Sequence, residues 1–225
     1  AGIIVMNMIG AVKHVDKALA AGVDVICAQG GEAGGHTGDL ATSVLIPKVV
    51  DACRGRRSPL TGDPVLVVAA GGIFDGRGLA SALSMGAAGV WVGTRFVASE
   101  ESGSGPYHKE LIKKATYNDI RKTLIYSGRP LNCYASPFVR NWEENRQGDI
   151  KQALAKGKVP VGFDLEEEEG SAKELLEKKC YPLGQAAGAI SDVQPAKAIV
   201  DGMVQQAVEL LESAHCMVTA APSKL

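Results

Sequence analysis

Along the chain, short compact apolar runs alternate with stretches of helical spacing. Residues 3–7 read as a strand, and in residues 12–21 the side chains of Val12, Val15, Ala18 and Leu19 share one helical face until Gly22 ends the helix. Residues 25–28 mix β-branched with small residues and stop at a glycine break, which predicts a short buried strand. A helix over residues 41–53 follows, with Leu45, Val49, Val50 and Cys53 inward, and residues 54–64 form a loop by their Gly, Pro and charge content. Residues 65–70 are continuously apolar, as in a strand covered on both faces. A helix over 78–85 and a strand over 89–92 complete the series. Strand–helix–strand repetition predicts an α/β fold with a parallel sheet.

Beyond residue 100 the pattern weakens. Residues 106–115 and 151–155 read as short helices, and the segment 129–137 reads as an irregular stretch that covers a pocket mouth. Ser171 and Glu174 have capping-box spacing and start a helix that ends near Lys179. Pro195 opens a last helix in which Val200, Met203, Val204, Ala207, Val208 and Leu211 form an apolar stripe, read as core packing. The acidic run 164–169 reads as solvated loop.

Composition narrows the function classes. Among 225 residues, 24 Lys+Arg balance 25 Asp+Glu for a net charge of -1, so there is no basic footprint for nucleic acid. No apolar run approaches the ~18 residues of a membrane span. Five scattered cysteines with no CxxC pair argue against a disulfide framework or a zinc site, and no metal ligands are assigned. The chain opens on Ala1-Gly2 rather than Met, directly into a strand-like run, and is read as a piece of a longer product.

The candidate chemistry sits behind the second strand. Ala28-Gln-Gly-Gly-Glu-Ala-Gly-Gly-His-Thr-Gly38 places five glycines and His36 just past the strand's C-terminal end. Glycine lets backbone come close to a ligand, and His36 is the proton-handling group of the loop. The strands ending near Ala70 and Val92 are followed by Gly71-Gly72 and by Gly93-Thr94, an arrangement that matches a phosphate site after the last strands of a (β/α) barrel. Arg77 and Arg95 are open to phosphate, surface or ion-pair roles. Neither the GxGxxG spacing of a dinucleotide fold nor a P-loop is present.

The phrases Gln29-Gly-Gly-Glu-Ala-Gly-Gly-His36, Ala69-Ala-Gly-Gly-Ile-Phe-Asp-Gly-Arg-Gly78 and Gly86-Ala-Ala-Gly-Val-Trp-Val-Gly-Thr-Arg-Phe96 together resemble the nitronate monooxygenase family. The resemblance implies a (β/α)8 TIM-barrel fold, of which residues 1–100 are about the second half, residues 101–219 a helical and irregular extension covering the barrel, and residues 220–225 a flexible tail. It implies FMN as cofactor, with His36 catalytic and Gln29, Gly34, Gly72, Trp91, Val92, Gly93 and Thr94 holding the flavin. Gln185 resembles a family segment facing the flavin. The implied reaction is oxidation of alkyl nitronates or nitroalkanes by molecular oxygen. The alternatives are an FMN-dependent enoyl-thioester reductase, which shares the histidine loop and the phosphate glycines, and a truncated half barrel without activity of its own. An inosine monophosphate dehydrogenase needs a nucleophilic cysteine loop, whereas Cys27 lies inside a strand. The terminal Ser223-Lys224-Leu225 reads as a peroxisomal address recognised by an import receptor, the alternative being a cytoplasmic enzyme whose tail matches by chance.

Overall fold

The computed structural model describes residues 2–162 and 171–219; the acidic run 164–169 and the tail carrying Ser223-Lys224-Leu225 lie outside them. In chain order the strands are β1 (Met6–Ile9), β2 (Val25–Gln29), β3 (Gly35–His36), β4 (Leu66–Ala70), β5 (Gly89–Trp91), β6 (Ile120–Thr123) and β7 (Leu131–Tyr134). The helices are α1 (Val15–Ala20), α2 (Thr42–Cys53), α3 (Gly76–Ser84), α4 (Thr94–Val97), α5 (Pro106–Lys114), α6 (Pro137–Asn145), α7 (Gln147–Ala155), α8 (Ala172–Lys178) and α9 (Ala196–Thr219).

β1, β2, β4 and β5 form a parallel sheet in that order. One face packs on helices: Ile26, Ala28, Val67 and Ala69 meet Leu45, Ile46 and Val49 of α2, all buried. The opposite face is open at several points, with Leu66 51% and Trp91 50% exposed. The two-sided cover expected for residues 65–70 is therefore incomplete, because Leu66 stays about half exposed. The first strand also starts later than residues 3–7 suggested. The Asp24 carboxylate accepts the Val5 N–H at 2.8 Å and the Val5 carbonyl accepts the Asp24 and Val25 N–H groups, so pairing begins at Met6↔Val25 and leaves Ile3 and Ile4 exposed.

A second, antiparallel sheet runs β3–β7–β6. Residues 129–137, expected to be irregular, contain β7 instead. Leu131 and Cys133 bury into a cluster with Ile125, Val139 and Trp142, while the alternate residue Asn132 points to the histidine loop. The capping box is present: Ser171 and Glu174 exchange side-chain and backbone bonds at the start of α8. The stripe on α9 is only partly core. Ile199, Met203 and Ala207 are buried on the side where α9 lies on α3, but Val200, Val204, Val208 and Leu211 are exposed. No helix among the described residues is long and apolar enough to cross a membrane.

Leu45 is fully buried beneath the sheet. Leu45→Ala is expected to cost about 2–5 kcal/mol, read as a fall in thermal midpoint of the order of 5–15 °C for a domain of this size.

Candidate functional site

The loop after β2 is held from four directions. Gly30 donates its N–H to Ala70 at 2.8 Å and Gly31 donates to Leu40 at 2.7 Å. The Glu32 carboxylate accepts the Thr42 N–H at 3.0 and 3.1 Å and the Thr42 hydroxyl at 2.8 Å, so a side chain from this loop caps α2. The Glu32 carbonyl accepts the Gln185 N–H at 2.9 Å. Asn132 donates through Nδ2 to the carbonyls of Gly31 (2.8 Å) and Ala33 (2.7 Å), and Lys122 Nζ meets the Gly38 carbonyl and the Asp39 carboxylate at the far end of the loop. Gly34 has to be glycine, because a Cβ there would stand 2.7 Å from the Gly184 nitrogen.

Within this frame β3 pairs His36 with Leu131, which fixes the backbone of the histidine. Its exposed ring places Nε2 2.7 Å from the Ser127 hydroxyl, and Ser127 Oγ donates to the Arg129 carbonyl at 3.2 Å. Nδ1 has no hydrogen-bond partner among the described residues, and in the tautomer whose Nε2–H donates to Ser127 it is the nitrogen that can take a proton. His36, His14, Gln29, Met8, Gly10 and Arg129 line a cavity of about 280 Å³.

Six of the seven predicted cofactor residues meet in one cleft. Gln29, Gly34, Gly72, Trp91, Gly93 and Thr94 surround about 90 Å³, although they come from three separate strand ends. Gly72 has φ +71°, a conformation that favours glycine. Thr94 Oγ1 accepts the Gly184 N–H at 3.1 Å, which leaves its own proton free to donate to a ligand. Val92 does not join by its side chain, which packs against the helix-side core and leaves only its backbone available. Gln29 lines both the cleft and the His36 cavity, so the two spaces adjoin.

The remaining candidates divide clearly. Gln185 lines a neighbouring cavity of about 320 Å³ with Tyr117 and Ser81, and it is Gly184 and Ala186 that border the cleft. Arg95 is buried and bonded to the Asp192 carboxylate (2.6 Å) and carbonyl and to the Ala98 carbonyl, so its charge is taken up by an ion pair. Arg77 is exposed, 4.0 Å from Asp75. Burial pushes the Cys27 thiol up to about 11, which keeps it protonated and unreactive in its strand. Arg129 and Asn132 fall in the segment 129–137 that was expected to cover a pocket mouth, but no role was assigned to them or to Ser127. They lie some 90 residues from the loop they serve, and the one available signal was the turn chemistry of Ser127-Gly-Arg-Pro130.

Comparison with known proteins places this geometry. A family model described as nitronate monooxygenase matches residues 1–208. The (3aS,4S,5R,7aS)-5-hydroxy-7a-methyl-1-oxo-octahydro-1H-indene-4-carboxyl-CoA dehydrogenase of Rhodococcus jostii is 51% identical over 246 aligned residues, covering 95% of this chain and 67% of its own. The nitronate monooxygenase of Neurospora crassa is 31% identical, covering 94% and 56%. The solved structure of FabK from Thermotoga maritima, a TIM-barrel enzyme, superposes with a TM-score of 0.74 at 31% identity, covering 95% and 64%. The chain thus spans between half and two thirds of the length of these relatives.

Away from the cleft, α5 carries a half-buried histidine. His108 of α5 lies 5.2 Å from the Tyr181 ring, bonds the Pro182 carbonyl, and buries Nε2 with no partner. Burial holds its imidazole below the ordinary 6.5, outweighing the Pro182 bond. A base with a depressed folded pKa takes up protons more readily unfolded, so its contribution is complete above the ordinary value and is lost as pH falls through 6.5 and on to the lower folded pKa. Thermal midpoints measured from neutral pH downward are expected to fall over that window, and His108→Gln is expected to flatten the acid limb.

Proposed function

Because the chain belongs to the nitronate monooxygenase family, we propose that it supplies the flavin cleft and catalytic histidine of an oxidoreductase acting on a coenzyme A thioester. The observation that carries the catalytic part is the shared wall at Gln29, which sets the His36 cavity directly against the glycine cleft. The substrate class is drawn from the 51% identity to a carboxyl-CoA dehydrogenase. This reading encompasses the enoyl-thioester alternative, which is the same substrate chemistry run toward reduction. Alkyl nitronates and nitroalkanes are the second reading, favoured by the family match and by the fungal nitronate monooxygenase. Relatives that are mostly bacterial lend no support to a peroxisomal address.

The open backbone and free hydroxyl of the cleft support a bound flavin, its about 90 Å³ taking one end of the group, and FMN is the form we propose. A Cβ built on Gly93 meets nothing within 4 Å, the Gly72 backbone is turned by its positive φ, and the Thr94 hydroxyl has a proton to give. Gly72, Gly93 and Thr94 would hold the phosphate, and Gln29, Gly34 and Trp91 would lie along the rest of the group. Both oxygens of Glu32, the one carboxylate in the cleft, are turned to Thr42. When bound, the flavin supplies reversible electron uptake, while the protein supplies position and electrostatics. His36 Nδ1 takes the proton from the carbon beside the thioester carbonyl, or beside a nitro group in the second reading. Ser127 holds the ring at Nε2, which leaves Nδ1 unengaged for that proton.

In the full-length protein, His36→Asn is expected to keep flavin content and lower turnover of the neutral substrate by about 10²-fold or more. Turnover within a few-fold of wild type would exclude His36 as the base. Gly72 cannot test the phosphate site, since its positive φ strains any side chain. Gly93 can, because its φ is -101° and its surroundings are open. Gly93→Val is expected to give folded apoprotein, read as a lost flavin absorbance with unchanged circular dichroism.

A further inference from the structure

The cavity beside the glycine cleft is electrostatically one-sided. Its lining includes three groups that are or can become cationic, His14, His36 and Arg129, and no carboxylate. Arg129 is exposed, and its guanidinium has no hydrogen-bond or ion-pair partner among the described residues, unlike Arg95 with its ion pair. Its backbone is nevertheless fixed to the histidine, because its carbonyl accepts the Ser127 hydroxyl and its N–H donates to the same oxygen at 3.4 Å. The turn that orients His36 therefore also places an unused planar cation on the wall of the same space.

Removing a proton from carbon leaves a charge that needs a partner. As the C–H bond breaks, its proton goes to His36 Nδ1 and its electron pair moves into a new double bond, so that the neighbouring carbonyl or nitro oxygen becomes an anion. We propose that Arg129 is a further catalytic residue that holds this oxygen, the enolate oxygen of a thioester or the oxygen of a nitronate. The inference rests on the reading of His36 as the base. A guanidinium suits the task because it stays charged at any working pH and presents a flat fork to a planar oxyanion. His14, exposed on the same wall, is the secondary cation.

The test uses the full-length flavin-loaded enzyme as wild type, Arg129→Gln and Arg129→Lys. Nitrate, an unreactive planar oxyanion, is titrated against the oxidised enzyme by flavin absorbance, and turnover is measured with an acyl-CoA thioester and with a neutral nitroalkane. Arg129→Gln is expected to weaken nitrate binding about tenfold or more and to lower kcat by roughly 10²-fold, with Arg129→Lys recovering part of both. Flavin content and thermal midpoint should not change, since the side chain has no partner to lose. A loss confined to the thioester assigns the held atom as an enolate oxygen, and a loss confined to the nitroalkane assigns it as a nitronate oxygen. Nitrate binding and turnover equal to wild type in Arg129→Gln would overturn the proposal. A wild type that binds nitrate through Arg129 but turns over neither substrate upholds the anion site and overturns the reading of the function.

Discussion

The carboxylate of Glu32 is the interaction on which both functional spaces depend. It sits in the loop after β2 yet caps α2, taking the N–H and hydroxyl of Thr42, and its own carbonyl takes the Gln185 N–H. Thr42 Oγ1 also lies 3.0 Å from the Gly71 carbonyl, so the loop after β4 is drawn into the same junction. A capping interaction of this kind is worth on the order of 1 kcal/mol by itself. Its larger consequence is geometric. Three chain segments that share no sequence neighbourhood are brought to backbone contact, and Gly34 and Gly184 can meet only because neither has a side chain.

The sheet behind this junction is packed unequally. Its helix side is a closed core of Ile26, Leu45, Ile46, Val49 and Ala69, whereas Met6, Met8, Leu66 and Trp91 keep substantial exposure on the strands themselves. β1 and β5 are the outer strands, so each leaves one row of ladder groups unpaired within the sheet. Exposed apolar residues along an open sheet are a surface that a longer polypeptide of the same family has material to cover, given that the relatives extend well beyond this chain. The cleft lies at the C-terminal ends of β2, β4 and β5, where loop contacts hold it whatever covers the sheet.

What the sequence revealed follows from where each piece of information resides. β2, β4 and α2 are written in local apolar runs, and the capping box of Ser171 and Glu174 is complete within four residues, so both were legible. The glycines of the cleft were legible because a backbone that must come close leaves a compositional trace. The hairpin of β6 and β7 was not, since the alternation of Leu131, Asn132 and Cys133 is only a few residues long and sits between Pro130 and Pro137, which read as breaks. The stripe on α9 misled because periodicity reports an apolar face without reporting how wide a neighbour covers it. Ser127 and Arg129 left only the turn chemistry of Ser127-Gly-Arg-Pro130, for their meaning arises when β3 pairs with β7.

That pairing also explains why one histidine loop serves two unlike environments. On the side of the cleft the loop presents Gly34 and bare backbone, with the single carboxylate turned away toward α2, which suits a group bound mainly by main-chain donors and flat contact. On the other side the same loop presents an imidazole beside a guanidinium, with no acid near enough to neutralise either within the lining. The two-residue strand Gly35–His36 follows Gly34 directly, and the positive φ of Gly35 (+73°) turns the chain between the cleft side and the histidine side. Shifting that pairing by one residue would exchange the faces, turning the ring away from Ser127 and from the cavity. Asn132, which fixes the register by binding the carbonyls of Gly31 and Ala33, is therefore the residue that separates the flavin side of the loop from its proton-transfer side.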